Sequence, residues 1–579
     1  MPSDHAIPAW SQSRRGAIHT TAGRRTLHFA VVRVTSFLAF LGSSRHADVG
    51  AGRKRKMTTS APRPDYYDVV IIGAGISGIG AAAYLTREFP KKKVVLLEGR
   101  GALGGTWDLF RYPGIRSDSD LHTFAYEFKS WRHKNAIADA PLILDYLKET
   151  VDEYGLADII KYRHNVIAAA WSSDDAEWVL TVDVTDPDGS VRSEVIKAGW
   201  VYAGTGYYRY DKAYTPEFEG REEFEGDIIH PQFWPEGYDH SGKNIVVIGS
   251  GATAITLIPS MLKGDDAAEH VTMLQRTPTY IMSMPRTDAL SLKLTRLLGE
   301  RRGYLATRWK NVLLDWVVVE LMTRFPKAAR RLIRHLNTKE LPAGFDVDRH
   351  FNPPYDPWDQ RLCLAPDGDF FTSIREGRAS VVTDRIRRFT KNGIELESGE
   401  ELPADVIVTA TGLNMRLFGG VDLTVDGRPI DLSSSVVYRG LLLSGLPNWM
   451  MAIGYTKSSW TLKISLLGKS LIELLHHMDT HGYDTVAPYA AEGVGTRSIL
   501  DLDAGYMQRS KHSLPRQGDA MPWQMRNVFL EDRKMYRGSI IDDNLHFSSR
   551  LERELKDSGS NSPDRRTQIS RASSGGATS

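Results

Sequence analysis

The pattern Gly-x-Gly-x-x-(Gly or Ala) occurs twice in this chain, each time directly after an apolar run and before a helical one. That repetition constrains the fold more than any other feature. The first copy is Gly73-Ala74-Gly75-Ile76-Ser77-Gly78, preceded by Tyr67-Asp68-Val69-Val70-Ile71-Ile72 and followed by an apolar helical stretch from Ile79 to about Phe89. A second apolar run, Lys93 to Leu97, ends at Glu98, 20 residues after the last glycine. Short continuous apolar runs suit the central strands of a parallel sheet, which are buried on both faces. The glycines permit a tight turn, approach of a pyrophosphate to the backbone and close helix–strand packing. The pyrophosphate then lies at a helix N-terminus, where free N–H groups favour an anion. A carboxylate at the end of the second strand binds ribose hydroxyls. With all four parts in register, the segment reads as a dinucleotide site rather than a structural glycine turn.

The second copy follows Lys243-Asn244-Ile245-Val246-Val247-Ile248 and reads Gly249-Ser250-Gly251-Ala252-Thr253-Ala254, with a helix through about Leu262. Its next strand, Val271 to Leu274, ends at Gln275-Arg276-Thr277 instead of an acid. A carboxylate there would repel a ribose 2′-phosphate, whereas a guanidinium offers it a planar fork. NADPH is the expected ligand; the alternative is NADH beside an uninvolved surface arginine. The first copy is followed by Gly104-Gly105-Thr106-Trp107 and by Arg111-Tyr112-Pro113-Gly114-Ile115-Arg116-Ser117-Asp118-Ser119-Asp120. Small residues let the backbone run along a flat ligand and Trp107 can pack on a ring system, which points to FAD at the first site. Asp118 sits in a segment crowded with arginines, as a site residue or as one half of a solvated ion pair.

The expected fold class is α/β, with two Rossmann-like dinucleotide-binding domains, the second inserted in the first and carrying a helical insertion. The expected divisions are an extension over 1–63, a first FAD-binding part with linker over 64–235, and an NADPH-binding domain over 236–404. Its apolar and basic helical insertion, centred on Leu290 to Leu336, spans about 288–345; a second FAD-binding part covers 405–555 and a tail 556–579. Val201 to Gly206 and Ala404 to Gly412 both read as strand-plus-turn returns to the flavin domain, the latter after a hairpin-like stretch with Asn392-Gly393 and Ser398-Gly399 turns. Charge nearly balances, with 73 Lys or Arg against 71 Asp or Glu, so there is no electrostatic reason to expect nucleic acid. The one cysteine, Cys363, excludes an intramolecular disulfide and a redox-active Cys-x-x-Cys. No metal is expected, nor a transmembrane span, since no run of about 18 apolar residues exists. Residues 1–56 hold ten Arg or Lys against Asp4 and Asp48. The expectation is a start at Met57 and a cytoplasmic protein; the alternative is an organellar transit peptide, which the Arg-rich, acid-poor composition resembles.

Between the two fingerprints lies Phe224-Glu225-Gly226-Asp227-Ile228-Ile229-His230-Pro231-Gln232-Phe233-Trp234-Pro235. It matches FxGxxxHxxxW followed by Pro or Asp, the signature of the type I Baeyer–Villiger monooxygenases within the class B flavoprotein monooxygenases. The chain resembles that family over nearly all of about 64–550. Its segments GGTWDLFRYPGIRSDSD, HPQFWP, QRTPTY, NPPYDPWDQRLC and GYTKSSWTLK resemble the ethionamide-activating subgroup, known for oxidising thiocarbonyl compounds. The related N- and S-oxygenating enzymes usually carry Tyr or Phe where this chain has Trp234.

The resemblance implies an NADPH- and O2-dependent FAD monooxygenase that inserts oxygen beside a ketone carbonyl through a flavin C4a-peroxide, giving an ester or lactone. Sulfur or nitrogen oxygenation is the alternative. It implies Arg361 as the catalytic cation, oriented by Asp118. In the family a lysine usually precedes that arginine; here Gln360 stands in its place, so part of the NADPH-holding role falls on Arg276. His230, on the interdomain connection, is expected to make a domain-bridging hydrogen bond rather than transfer a proton. The expected FAD contacts are Gly73, Gly75, Ser77, Gly78, Glu98, Thr106, Trp107, Asp118 and Val166. The expected NADPH contacts are Gly249, Ser250, Gly251, Ala252, Thr253, Ala254, Gln275, Arg276 and Thr277.

Overall fold

The computed structural model describes residues 66–550 apart from Arg361, Thr496 and residues 500–504. The N-terminal extension, the C-terminal tail and the expected catalytic Arg361 therefore lie outside the described residues. Strand β1 (Tyr66–Ile72) pairs in parallel with β2 (Val94–Glu98), and helix α1 (Ile76–Glu88) makes the crossover. Both strands are apolar on both faces because each face is covered. The run Gly78 to Ala83 keeps α1 thin; a Cβ on Gly80 would lie 2.8 Å from the Tyr126 ring. Strand β3 (Ile160–Tyr162) extends this parallel layer beyond β2. Strands β4 (His164–Ser172), β5 (Glu177–Thr185) and β6 (Val191–Ala203) form an antiparallel meander, and the second half of β6 pairs in parallel with β1. Strand β6 thus belongs to both layers and delivers Gly204-Thr205-Gly206 to the mouth of the first fingerprint.

A second, wholly parallel sheet contains β7 (Asp227–Ile229), β8 (Asn244–Ile248), β9 (His270–Gln275), β10 (Ala379–Thr383) and β11 (Val406–Thr409), in the order β10-β9-β8-β11-β7. Helix α2 (Ala252–Met261) follows β8 and buries Ala254, Ile255, Leu257 and Ile258 against the sheet. The segment Ala404–Gly412, expected to return the chain to the flavin domain, instead lies between β8 and β7 as β11. The last part of the linker joins the same sheet through β7. The physical reason is edge satisfaction: β11 takes the free edge of β8 and places Ala410 against the second fingerprint. The return to the first sheet therefore follows residue 409 rather than 404.

The helical excursion comprises α3 (Ala289–Leu298), α4 (Glu300–Arg324) and α5 (Pro326–Glu340). The Asp288 carboxylate caps α3 by accepting from the N–H groups of Leu290 and Ser291, each at 3.0 Å. Gly299, at φ +76°, separates α3 from α4. Pro326 ends α4, because the residue before a proline is driven out of helical geometry, and opens α5 at a position needing no N–H donor. After β11 the chain returns as β12 (Asp422–Val425), parallel to β4, and β13 (Trp449–Met451), parallel to β6. Helix α6 (Trp460–His481) then covers α1, with Ile464 and Leu467 in the shared core.

Candidate active site

A continuous cavity of about 1810 Å³ runs along the carboxyl ends of both parallel sheets, where open α/β sheets bind ligands. All the expected FAD and NADPH contacts line it except Gly78 and Ala254, which pack behind it. At the first fingerprint the backbone cradle is tight. Gly73 takes φ +98° and donates its N–H to Leu97 O at 2.7 Å; a Cβ on Gly78 would lie 1.9 Å from Gly73 O. Gly104 donates to Ala74 O at 2.9 Å, and a Cβ on Gly105 would approach the Gly75 Cα to 3.1 Å. Two Gly-rich segments thus lie on one another with no side chain between backbone and cavity. Among the described residues no side chain caps the first turn of α1, leaving its N–H groups for an anion. Glu98, buried at the end of β2, accepts from Ala74 N at 2.7 Å and Arg100 N at 2.9 Å. Burial raises its pKa, and those two N–H groups oppose the shift. The cradle and the carboxylate fit the pyrophosphate and ribose of FAD.

The second fingerprint repeats the arrangement with other side chains. Gly249, at φ +131°, donates to Leu274 O at 2.8 Å, and a Cβ there would lie 2.3 Å from Ala410 O. Helix α2 also begins without a capping side chain among the described residues. Ser250 Oγ donates to Thr277 O at 3.1 Å and lies 2.9 Å from Thr279 Oγ1, which holds the loop after β9 against the fingerprint. Gln275 does not present its amide nitrogen to the cavity: Nε2 donates to His350 O at 2.8 Å and to Thr383 Oγ1 at 2.9 Å. Arg276 is exposed at the cavity wall, with no ion pair to another described residue. The sequence reading missed Arg385, which also lines the cavity and follows β10, whose Thr383 pairs with Gln275. An uncapped helix end with exposed guanidinium groups beside it fits a dinucleotide carrying an extra phosphate.

The segment from Arg111 to Asp118 does more than follow a flat ligand. Arg116 forms a buried ion pair with Asp369 at 2.5 Å, the side chains being 4% and 8% exposed. A Cβ on Gly114 would collide with Ser260 of α2 at 1.7 Å. Tyr112 has Thr253 of the second fingerprint as its hydrogen-bond partner, and burial pushes its phenol up to about 12. The segment is therefore the contact between the two halves, and its arginines find partners other than Asp118: Arg111 pairs with Asp108 at 3.4 Å. Trp107 lines the cavity with its ring edge-on to Phe124, centroids 5.6 Å apart. Trp460, at the start of α6, donates from Nε1 to Ser77 Oγ at 2.9 Å and also lines the cavity.

The linker is built around side chains that face in different directions. Phe224 is buried with Phe389, Leu396 and Ile407, and a Cβ on Gly226 would lie 2.4 Å from Asp405 O. Trp234 packs on the core of the second sheet, with its ring edge-on to Tyr238. His230 lines the cavity, and its Nδ1 accepts from Gln232 N at 3.1 Å. Burial lowers its pKa, opposed by the backbone of Gly412 and Tyr214. Gln232 adds two further hydrogen bonds towards the flavin half: its Nε2 donates to the carbonyls of Arg209 and Tyr210, each at 2.9 Å. Gln232 occupies a variable position of the signature, so the pattern itself gives no sign of it. Gln360 and Cys363, on either side of the undescribed Arg361, line the cavity, as does Asp118.

Residues 71–134 match the NAD(P)-binding Rossmann-like domain, and residues 125–342 match the flavin-binding monooxygenase-like family. The FAD-containing monooxygenase EthA of Mycobacterium tuberculosis is 47% identical over 488 residues, covering 84% of this chain and 98% of the relative. The chain belongs to the flavin-binding monooxygenase-like family. A second member, the probable FAD-binding monooxygenase AlmA of Acinetobacter baylyi, is 44% identical over 500 residues, covering 85% of this chain and 98% of AlmA. Among solved structures, cyclohexanone monooxygenase from Rhodococcus sp. Phi1 bound to NADP+ superposes with a TM-score of 0.67 at 21% identity, covering 84% of this chain and 100% of that one. An oxidized steroid monooxygenase bound to NADP gives 0.64 at 21% identity, with the same coverage. The fold is thus that of the Baeyer–Villiger monooxygenases. As a member of this family the chain is a flavin monooxygenase, with FAD and NADPH as its cofactors.

Proposed function

We propose that this monooxygenase carries out Baeyer–Villiger oxidation, inserting one oxygen atom between a ketone carbonyl and its neighbouring carbon. The second atom of O2 leaves as water, and NADPH provides the two electrons. The observation that carries the reading is the linker: Phe224, Gly226, His230 and Trp234 each occupy a distinct packing site between two dinucleotide cradles that share a cavity. When bound, the cofactors supply hydride donation by NADPH and dioxygen activation by FAD. The protein's part is to hold and orient. The α1 N-terminus and Glu98 would hold the pyrophosphate and ribose of FAD, while the α2 N-terminus and Arg276 would hold the pyrophosphate and 2′-phosphate of NADPH. Gln232 and the Arg116–Asp369 pair keep the two cradles in register. Arg361, assigned by resemblance, supplies fixed positive charge for the oxyanion that develops on the substrate carbonyl. By the same resemblance, Asp118 is the residue assigned to orient that guanidinium. Preorganised donors aimed at developing charge commonly give the largest catalytic contribution.

Arg361→Ala tests this assignment. Bleaching of bound FAD by NADPH should persist in stopped flow, while ester formation falls by at least about 10²–10³ and oxygen consumption is diverted into hydrogen peroxide. Undiminished ester formation removes Arg361 from the mechanism. A second reading, oxygenation of thiocarbonyl, sulfide or amine compounds, is favoured by Gln360, which lines the cavity where the family usually has lysine. Mass spectrometry of products from phenylacetone, 2-octanone and thioanisole separates the two. Ester from the ketones supports the first reading, and sulfoxide alone supports the second.

A further inference from the structure

The helical excursion α3–α5 contributes little to the cavity and carries an unusual surface. Of the 20 large apolar side chains exposed among the described residues, 12 lie on these helices or at their ends. Surface leucines scattered singly need no explanation, but a cluster of this kind marks an interaction site. On α4 the exposed apolar residues Leu313, Leu314, Trp316, Val317, Leu321 and the C-terminal Phe325 recur at helical spacing. At 100° per residue they fall on one side of the helix. Buried Tyr304, Thr307, Arg308, Asn311 and Val312 occupy the protein-facing side of the same helix. The α5 helix repeats the pattern in shorter form, with exposed Leu332 and Leu336 on the side that also carries Arg331, His335 and Lys339.

Charge decides what covers this face. Between Ala289 and Glu340 there are 12 Lys or Arg and 4 Asp or Glu, a net charge of +8, whereas the whole chain nets +2. Some of these cations are engaged: Lys310 pairs with Asp288 and Arg334 with Asp348. Lys293, Arg296, Arg301, Arg302, Arg324 and Arg331 are exposed and have no ion pair to a described residue. A second copy of this chain would set two cationic surfaces against each other. An anionic lipid surface instead takes both components, apolar side chains into the acyl boundary and cations at the headgroups. No helix among the described residues is long and apolar enough to cross a membrane, so the contact lies in the interface.

We propose that the α3–α5 excursion docks this enzyme on the surface of an anionic lipid bilayer. The geometry gives that contact a use. A small cavity of about 60 Å³ lies between α4, the loop bearing Ser458 and the short helix Phe529–Met535, and Ser458 also lines the main cavity. Trp316, 42% exposed on the apolar face, lines the small cavity as well. The docked face therefore adjoins the wall of the active-site cavity, on the side where a lipid-dissolved apolar substrate would arrive.

Flotation of the full-length FAD-loaded enzyme tests the proposal, with phosphatidylcholine vesicles and with vesicles containing roughly one-third phosphatidylglycerol. Binding should be about tenfold stronger or more on the anionic vesicles and should weaken as salt is raised, since headgroup attraction is screened. Leu314→Glu with Leu321→Glu should lower binding by at least about tenfold while leaving the melting temperature and lipid-free NADPH oxidation unchanged. Arg324→Glu with Arg331→Glu should abolish the preference for anionic vesicles, which tests the charge independently of the leucine variant's folding. Failure of the parent enzyme to float with anionic vesicles overturns the proposal, as does unaltered flotation of either double variant. Sedimentation velocity on the same proteins covers the remaining occupant. A dimer that the leucine variant disrupts, without lipid binding by the parent, assigns the face to a second copy and also overturns the proposal.

Discussion

The two fingerprints share a backbone plan but differ at each point where a side chain is allowed. In both, a glycine of positive φ abuts a Gly-Thr-Gly or Ala-Thr-Gly turn delivered by another strand: Gly73 meets Gly204, and Gly249 meets Ala410. At the first site the helix glycine Gly78 also packs on Gly204, whose Cβ, if present, would lie 3.0 Å from Gly78 N. At the second, the equivalent positions are Ala254 and Ala410, so the spacing there already accommodates two methyl groups. The strand ends differ as well. Glu98 is buried and bonded to the backbone of its own fingerprint, whereas Gln275 turns its amide nitrogen towards His350 and Thr383 and exposed Arg276 follows it at the cavity wall. The first cradle is closed by backbone contacts, a geometry that suits a cofactor that stays bound. The second presents an exposed guanidinium at an open rim, a geometry that suits a cofactor that exchanges at each turnover.

The largest expected effect tests the closed cradle. Gly78→Ala would place a methyl 1.9 Å from Gly73 O, and backbone cannot yield as a flexible side chain can. The purified variant should be nearly colourless and should melt well below the parent; a fully yellow variant would falsify the account of that turn. Next comes Arg276→Ala. One charge-assisted hydrogen bond contributes roughly 1.5–3 kcal/mol, so the preference for NADPH over NADH should fall by about one to two powers of ten. If kcat/KM ratios for the two nucleotides do not move, the 2′-phosphate is read elsewhere, with Arg385 as the candidate.

A smaller effect separates the sites by pH. Burial raises Glu98 above the usual carboxylate range, so its ionised form, the acceptor for ribose hydroxyls, is lost as pH falls through that raised value. FAD should therefore dissociate more readily on acidification. Stability of the FAD-free protein responds in the opposite sense. A raised folded-state pKa means stability is greatest below the unfolded-state value and declines as pH rises through the folded one. Fluorescence titration of FAD from mildly alkaline to acid pH, on the parent and on Glu98→Gln, checks the assignment. The variant should bind more weakly but lose the pH dependence; an identical slope in both would place the titrating group elsewhere. The smallest change is Ala254→Gly, which should cost about 1 kcal/mol of helix stability and leave NADPH binding intact, in contrast to the mirror substitution at Gly78.

Both fingerprints and the linker were legible because each is a local pattern whose chemistry depends on residues within one strand–turn–helix unit. The sheet to which β11 belongs was not. Thr205-Gly206 and Thr411-Gly412 end similar strand-plus-turn segments, and only pairing with β8 and β7 distinguishes the second from the first. The same limit applies to Arg116, whose partner Asp369 is 253 residues away, and to Trp460, which reaches Ser77 across 383 residues. An arginine-rich segment beside a flavin fingerprint suggests ligand contacts; nothing local indicates that it fastens one domain to another. Gln232 was hidden for a different reason, since its neighbours His230 and Trp234 carry the recognisable pattern while Gln232 carries the hydrogen bonds.

The interrupted first sheet imposes an order on synthesis. The strands of the second sheet all lie between residues 227 and 409, so that sheet can close as soon as β11 clears the ribosome. The sheet beneath the FAD cradle still lacks β13, and α1 lacks its cover until α6 emerges. Domains generally fold as units during synthesis, and here the unit begun first is completed last. Chains stalled with β11 clear of the ribosome but α6 still inside it should show protease protection over 227–409 yet capture no FAD, whereas release past α6 should allow flavin capture. The NADPH half thus forms before the flavin half that encloses it in sequence.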